Sequence, residues 1–165
     1  MHRLCRELTR HAGGILVEWR SITAEEPWLA GLEPDRTDDL IQVVLGVLDA
    51  AVCEGPEGRH AAVRQLVHAA TAHGQQRQES SKPFEVLFAE HYLLREAVWR
   101  YLKRLGGPSE SFAVMALDRT ITAMTQASIL SYHAARVDSA RVPRRLEQIV
   151  RETTEALNAL PTIPS

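Results

Sequence analysis

The stretch HGQQRQESSKPFEVLFAEHYLLREAVWRYLKRL, His73 to Leu105, decides the fold. Past Pro83 its apolar side chains fall at Phe84, Leu87, Phe88, Leu94, Val98, Leu102 and Leu105, with His91 in the same row. Steps of three and four place this row on one face of an α-helix, and the strict alternation of a half-buried strand is missing. The spacing predicts a helix over 83–105. Ahead of it, Val63, Leu66, Val67, Ala70 and Gly74 trace an inward face on a helix from about Glu57 to Ser80. Ser80 or Ser81 is expected to cap the following helix, with Pro83 in its first turn, where a missing N–H costs nothing.

The same periodicity extends outward. Leu4, Leu8, Ala12, Ile15 and Trp19 mark a first helix, weakened by Gly13-Gly14. EPWLAGLEPDR, residues 26–36, is a connection. Thr37 is expected to cap a second helix with Asp38 and Asp39 in its first turn, where the helix dipole favours negative charge. Its stripe of Leu40, Val44, Val47, Leu48 and Ala51 is widened by Ile41, Val43, Leu45 and Val52, which predicts a central position, and Gly55-Pro56 ends it. After the Gly106-Gly107-Pro108 break, a long helix capped by Ser109 or Ser111 is expected to reach about Ala140. Its small residues, Ala113, Ala116, Ala123, Ala127, Ser128, Ser131 and Ala134, permit close approach of a neighbour. Beyond Pro143, Leu146, Ile149, Val150, Thr153, Leu157 and Leu160 form an amphipathic seam, too short for a coiled coil on its own. The expected architecture is all-α, a single bundle of five or six helices. Residues 1–142 form the bundle, and 143–165 a C-terminal amphipathic helix and tail suited to signalling or dimerisation, whose seam from Leu146 to Leu160 can dimerise, dock on the bundle or continue into an output module.

Composition agrees with a folded domain. A chain of 165 residues, 45% hydrophobic and 24% charged, can bury a core without staples and lies far from the disordered regime. A formal charge of −2 gives no general attraction to nucleic acid or anionic lipid. Cys5 and Cys53 form no CxxC and are expected as reduced thiols of a cytoplasmic protein. The charged N-terminus lacks a signal-peptide core, and no run is long enough to span a membrane.

Motifs for chemistry are scarce. A di-iron bundle needs two Glu-x-x-His motifs and two more glutamates, yet only Glu57 to His60 fits. His68 and His73, five apart, point about 140° away from each other on a helix, so no shared metal site is expected. No G-x-S-x-G elbow and no phosphate loop occurs. No catalytic residue, metal or cofactor is expected. His91 reads first as a core histidine hydrogen-bonded to a neighbouring helix. Its sharper readings are a cofactor ligand, as in haem, or a pH-sensitive switch.

One polar constellation stands out by placement. Arg77 shares the face of Val63, Val67, Ala70 and Gly74, and an inward arginine needs a partner. Glu90 and Arg95 are expected on opposite borders of the next helix's stripe, and the short Lys82-Pro83 connection should make the two helices antiparallel neighbours. Glu90 then either pairs with Arg77 or with an N-terminal-helix residue, or both charges stay solvated. The candidate regulatory cluster is Arg77, Glu90, His91 and Arg95.

The same residues carry a resemblance. His73, Gly74 and Arg77, followed by Glu90, Leu94 and Arg95, look like the His-Gly-x-x-Arg and Glu-aromatic-x-x-Leu-Arg elements of the N-terminal domain family of the RsbT co-antagonist RsbRD, which also occurs ahead of bacterial sensor histidine kinases. The segments HAGGILVEWR, with Ile15 and Trp19, and TDDLIQVVLGVLDA resemble that family's first two helices. His91 departs from the pattern, which has an aromatic residue there, and Tyr92 is adjacent. The resemblance implies a non-catalytic sensory or regulatory input domain of bacterial signalling, working through a protein partner and as a homodimer, without nucleic acid. A globin-like or other cofactor-binding sensor is the alternative. A TetR-like DNA-binding regulator ranks third, since it wants a basic recognition helix and the second helix here is apolar and acidic.

Overall fold

The computed structural model of the chain describes residues 12–27, 37–104, 110–134 and 140–160. It is an all-α bundle: α1 Ala12–Ala24, α2 Thr37–Cys53, α3 Pro56–Glu79, α4 Phe84–Arg104, α5 Glu110–Tyr132 and α6 Val142–Asn158. No strand occurs among the described residues.

One hydrophobic core joins all six helices. α1 continues past Trp19 by one more turn because Ile22 extends its buried row of Ile15 and Trp19. Leu4, Leu8 and the Gly106–Pro108 break lie outside the described residues. α2 opens with Thr37 as its first helical residue and buries Leu40, Ile41, Val44, Leu45, Val47, Leu48 and Ala51. The centre of the bundle, however, belongs to α3 and α5, the most extensively packed pair, with α2 and α6 set against both. Close approach explains the pairing. A β-carbon on Gly74 of α3 would stand 2.2 Å from the Ser128 carbonyl oxygen of α5, so only glycine fits.

Two sequence expectations change at the helix ends. Ser80 and Ser81 close α3 instead of opening α4. Ser81 takes a left-handed φ of 53°, its N–H reaches the Gln78 carbonyl at 3.0 Å, and the Lys82 N–H reaches that of Arg77 at 3.0 Å. This is the paired bond pattern of a Schellman stop with serine in the place that glycine usually takes. α5 stops at Tyr132, short of Ala140, because the apolar row runs out there and the Tyr132 hydroxyl donates to the Lys82 carbonyl at 2.6 Å, tying the helix end to the α3–α4 turn. Although α3 and α4 run antiparallel, their backbones pack little on one another, since each instead lies along α5.

The seam of α6 is turned inward. Ile149, Val150, Thr153, Leu157 and, just beyond the helix, Leu160 are buried in the common core, with α6 antiparallel on α3 and also against α5. Arg59 at the start of α3 fastens the far end, donating from Nη1 to Asn158 Oδ1 at 3.1 Å. Pro143 sits in the first turn of α6, where it does no harm. Cys53 is disulfide-bonded, not the reduced thiol expected from spacing alone. No described helix is long and apolar enough to cross a membrane.

Candidate functional site

Glu90 is the hub of a buried polar cluster. Along α4 the apolar row sits about one residue aside from the expected one: Leu87, His91, Leu94, Val98 and Leu102 are buried, but so are Glu90, Leu93 and Ala97, while Phe88 is 54% exposed. Glu90 is therefore inside the stripe and not on its border. Leu93 and Ala97, at steps of three and four from it, outweigh Phe88 in setting which way the helix faces.

Three donors converge on that carboxylate. Arg77 of α3 donates from Nε to Oε2 at 3.0 Å and from Nη2 to Oε1, a fork matched to a carboxylate. His73, one turn earlier on α3, places Nε2 3.0 Å from Oε2. Because an ionised carboxylate only accepts, His73 must present Nε2–H to it. Arg77, Glu90 and His73 are 3%, 2% and 5% exposed. A charge pair so far from water is tolerable only when its hydrogen bonds are met, and removing one partner strands the other.

A second chain of contacts runs beside it. His91 of α4 is buried, its ring 5.7 Å from that of His73 and its Nε2 3.4 Å from Ser128 Oγ on α5. Ser128 in turn donates to the Ala70 carbonyl of α3 at 2.9 Å. Ser131, one turn on, donates to the Thr71 carbonyl at 2.7 Å. Burial first, then the neighbouring His73 and Arg77, push the His91 imidazole down to about 3, so it is neutral at ordinary pH. His91 Nδ1 has no hydrogen-bond partner among the described residues.

Arg95 stands apart from this cluster. About half exposed, it pairs with Asp118 of α5 at 2.5 Å on the bundle surface. Of the four expected site residues, Arg77 and Glu90 thus meet directly, His91 lies beside them with its ring tilted against that of His73, and Arg95 does not join. His73 and Ser128 were missed. The signal for His73 was available, since Ala70, His73 and Arg77 follow steps of three and four. Ser128 passed as a small packing residue, and only its hydroxyl marked it otherwise.

The arrangement has the chemistry of a lock. Its groups are paired with one another and withdrawn from solvent. Among the described residues no group of three or more His, Cys, Asp or Glu is placed to hold a metal ion. The chain matches no family model, no curated protein and no solved structure.

Proposed function

We propose that the chain is a non-catalytic sensory or regulatory domain of bacterial signalling, working through protein contacts and as a homodimer. One observation carries the reading: four of the residues behind the RsbRD-like resemblance, His73, Gly74, Arg77 and Glu90, come together in one buried contact set, with Arg95 outside it. His73 and Arg77 hold Glu90, and Gly74 lets α5 approach. Such a cluster is made or broken as a unit, because a half-paired buried charge is costly. That is the behaviour a two-state element needs.

The output element is α6. It is amphipathic, it docks on α3 and α5, and those helices carry Arg77 and Ser128. A shift of α3 against α5 therefore reaches α6 directly. Since the apolar seam of α6 faces its own bundle, dimerisation in the docked state falls to exposed faces. A cytoplasmic location belongs to the same proposal, and alkylation of the protein in its own cells, read by mass spectrometry, tests whether Cys53 is reduced there.

The principal test uses a photocrosslinker at Arg151, which is exposed on α6. A discrete protein adduct whose yield changes in Glu90→Gln, together with a dimer in sedimentation, supports the reading. The absence of any adduct, with a monomer at all concentrations, contradicts it.

A further inference from the structure

We propose that the outer face of α4 and α5 is the interface between two copies of this chain, related by a twofold axis that runs along the groove between these helices. The assignment rests on the homodimer reading above and says which surface serves it.

Apolar exposure is concentrated on this face. On α4, Phe88, Tyr92, Arg95 and Trp99 follow steps of four, three and four, so they share one side of the helix. On α5, Asp118, Thr122 and Thr125 do the same, and Met115 stands one turn before Asp118. The two rows border a pair of hollows that meet at the Arg95–Asp118 ion pair. Four large apolar side chains are exposed among the described residues, and three of them, Phe88, Tyr92 and Met115, lie here. Grouped in this way they mark a contact surface, where scattered ones would not.

Charge selects a second copy as the occupant. Arg95 and Asp118 are each about half exposed, so each side chain keeps an outer edge toward water. The two helices run antiparallel, with the Phe88 end of α4 beside Thr125 and the Trp99 end beside Val114. A twofold along the groove therefore lays α4 of one copy on α5 of the other. Arg95 then meets the partner's Asp118 while Asp118 meets the partner's Arg95, which closes a ring of four alternating charges. Phe88 and Tyr92 come down on the partner's Thr122 and Thr125, whose methyl groups receive the rings. Neighbouring helices in the resulting four-helix bundle are all antiparallel. A centre that is neutral as a pair, with Glu96 beside it matched by Arg100, is complementary to itself under a twofold. It offers nothing to an anionic membrane or to nucleic acid, both of which need an excess of positive charge.

The face is also large enough. Helices of 21 and 23 residues are about 31 and 34 Å long at 1.5 Å per residue, and two side by side make a face about 20 Å wide. Roughly 600 Å² per copy, or about 1,200 Å² in the dimer, reaches the lower end of specific, stable interfaces.

Charge reversal at half-exposed positions separates the interface from the fold. Arg95→Asp makes the centre acidic and Asp118→Arg makes it basic. Each variant alone is expected to dimerise at least about tenfold more weakly than the parent chain in sedimentation equilibrium, since like charges now face each other. Mixed in equal amounts, the two should form a heterodimer about as tight as the parent dimer. Phe88→Glu, at an exposed position, should also be monomeric, with a circular dichroism spectrum like the parent's. Single variants that dimerise as tightly as the parent, or a mixture that stays monomeric, overturn the proposal. Capture of a monomeric parent by phosphatidylserine vesicles, lost in Phe88→Glu, would overturn it in favour of a membrane. Undiminished dimers in the variants remove this face and leave the homodimer, whereas a monomeric parent removes both. The crosslink at Arg151 reports on the signalling partner independently of either result.

Discussion

Arg77 grips Glu90 through the Nε/Nη2 edge of its guanidinium, with His73 completing the set on Oε2, across an interface where the α3 and α4 backbones pack little on each other. The ion pair therefore bridges two helices that are otherwise joined through α5, α4 being held by α1 as well. The Schellman stop strengthens this point. The Lys82 N–H closes on the carbonyl of Arg77, so the residue that grips Glu90 is also the one on which the turn into α4 is built. Register between α3 and α4 is fixed at one place, by both the side chain and the backbone of Arg77.

Gly74 and Gly46 should respond oppositely to alanine. At Gly74 the new β-carbon meets the Ser128 backbone oxygen at 2.2 Å, and backbone cannot swing aside. Gly74→Ala is expected to cost about 2 kcal/mol or more, since overpacking exceeds the gain in helix propensity. Gly46 of α2 has nothing within 4 Å, so Gly46→Ala should stabilise by about 0.5 to 1 kcal/mol. Urea unfolding of the two variants checks both signs.

Ser81 bears a backbone conformation that L residues avoid, at φ 53°. Ser81→Gly relieves it and keeps the two closing hydrogen bonds, so a gain of up to about 1 kcal/mol is expected. A loss in thermal unfolding would show that the serine hydroxyl matters more than the backbone.

How much was legible beforehand depends on what each residue was asked. The helices themselves, and the inward faces of α2 and α3, follow from apolar spacing alone; spacing also marks the seam of α6, but not that it turns onto its own bundle. The pairing of Arg77 with Glu90 was one of the open alternatives because an inward arginine must find a carboxylate. Spacing could not place Glu90 inside the stripe, since Phe88 and Leu93 compete to set the rotation of α4 and only tertiary packing decides between them. The end of α5 and the role of Ser81 were equally out of reach. Both depend on the contact of Tyr132 with Lys82 and on a turn whose serine stands where the rules lead one to expect glycine.

His91 gives the fold a pH dependence of known sign. In the unfolded chain its imidazole titrates near 6.5, and in the folded chain burial holds it down to about 3. Above 6.5 both forms are neutral and this group contributes nothing. Between 6.5 and about 3 the unfolded chain binds a proton that the folded chain does not, so stability falls as pH falls, by up to about 1.4 kcal/mol per unit. His91→Phe is expected to flatten that part of the stability profile measured by urea unfolding from pH 7 to 4.

The docking of α6 can be weighed in the same way. Leu157 is 1% exposed in the common core. Leu157→Ala should cost about 2 to 5 kcal/mol if α6 is part of the cooperative unit. A variant that unfolds at the same denaturant concentration as the parent would mean that α6 is not held on the bundle.

The most direct test of the buried lock is a double-mutant cycle between Arg77 and Glu90. Arg77→Met and Glu90→Gln are each expected to destabilise by about 3 kcal/mol or more, because each leaves the other group buried and unmatched. The double variant should lose much less than their sum, with a coupling of about 2 kcal/mol or more. Additive losses, or single variants as stable as the parent, would contradict a register-fixing ion pair between α3 and α4.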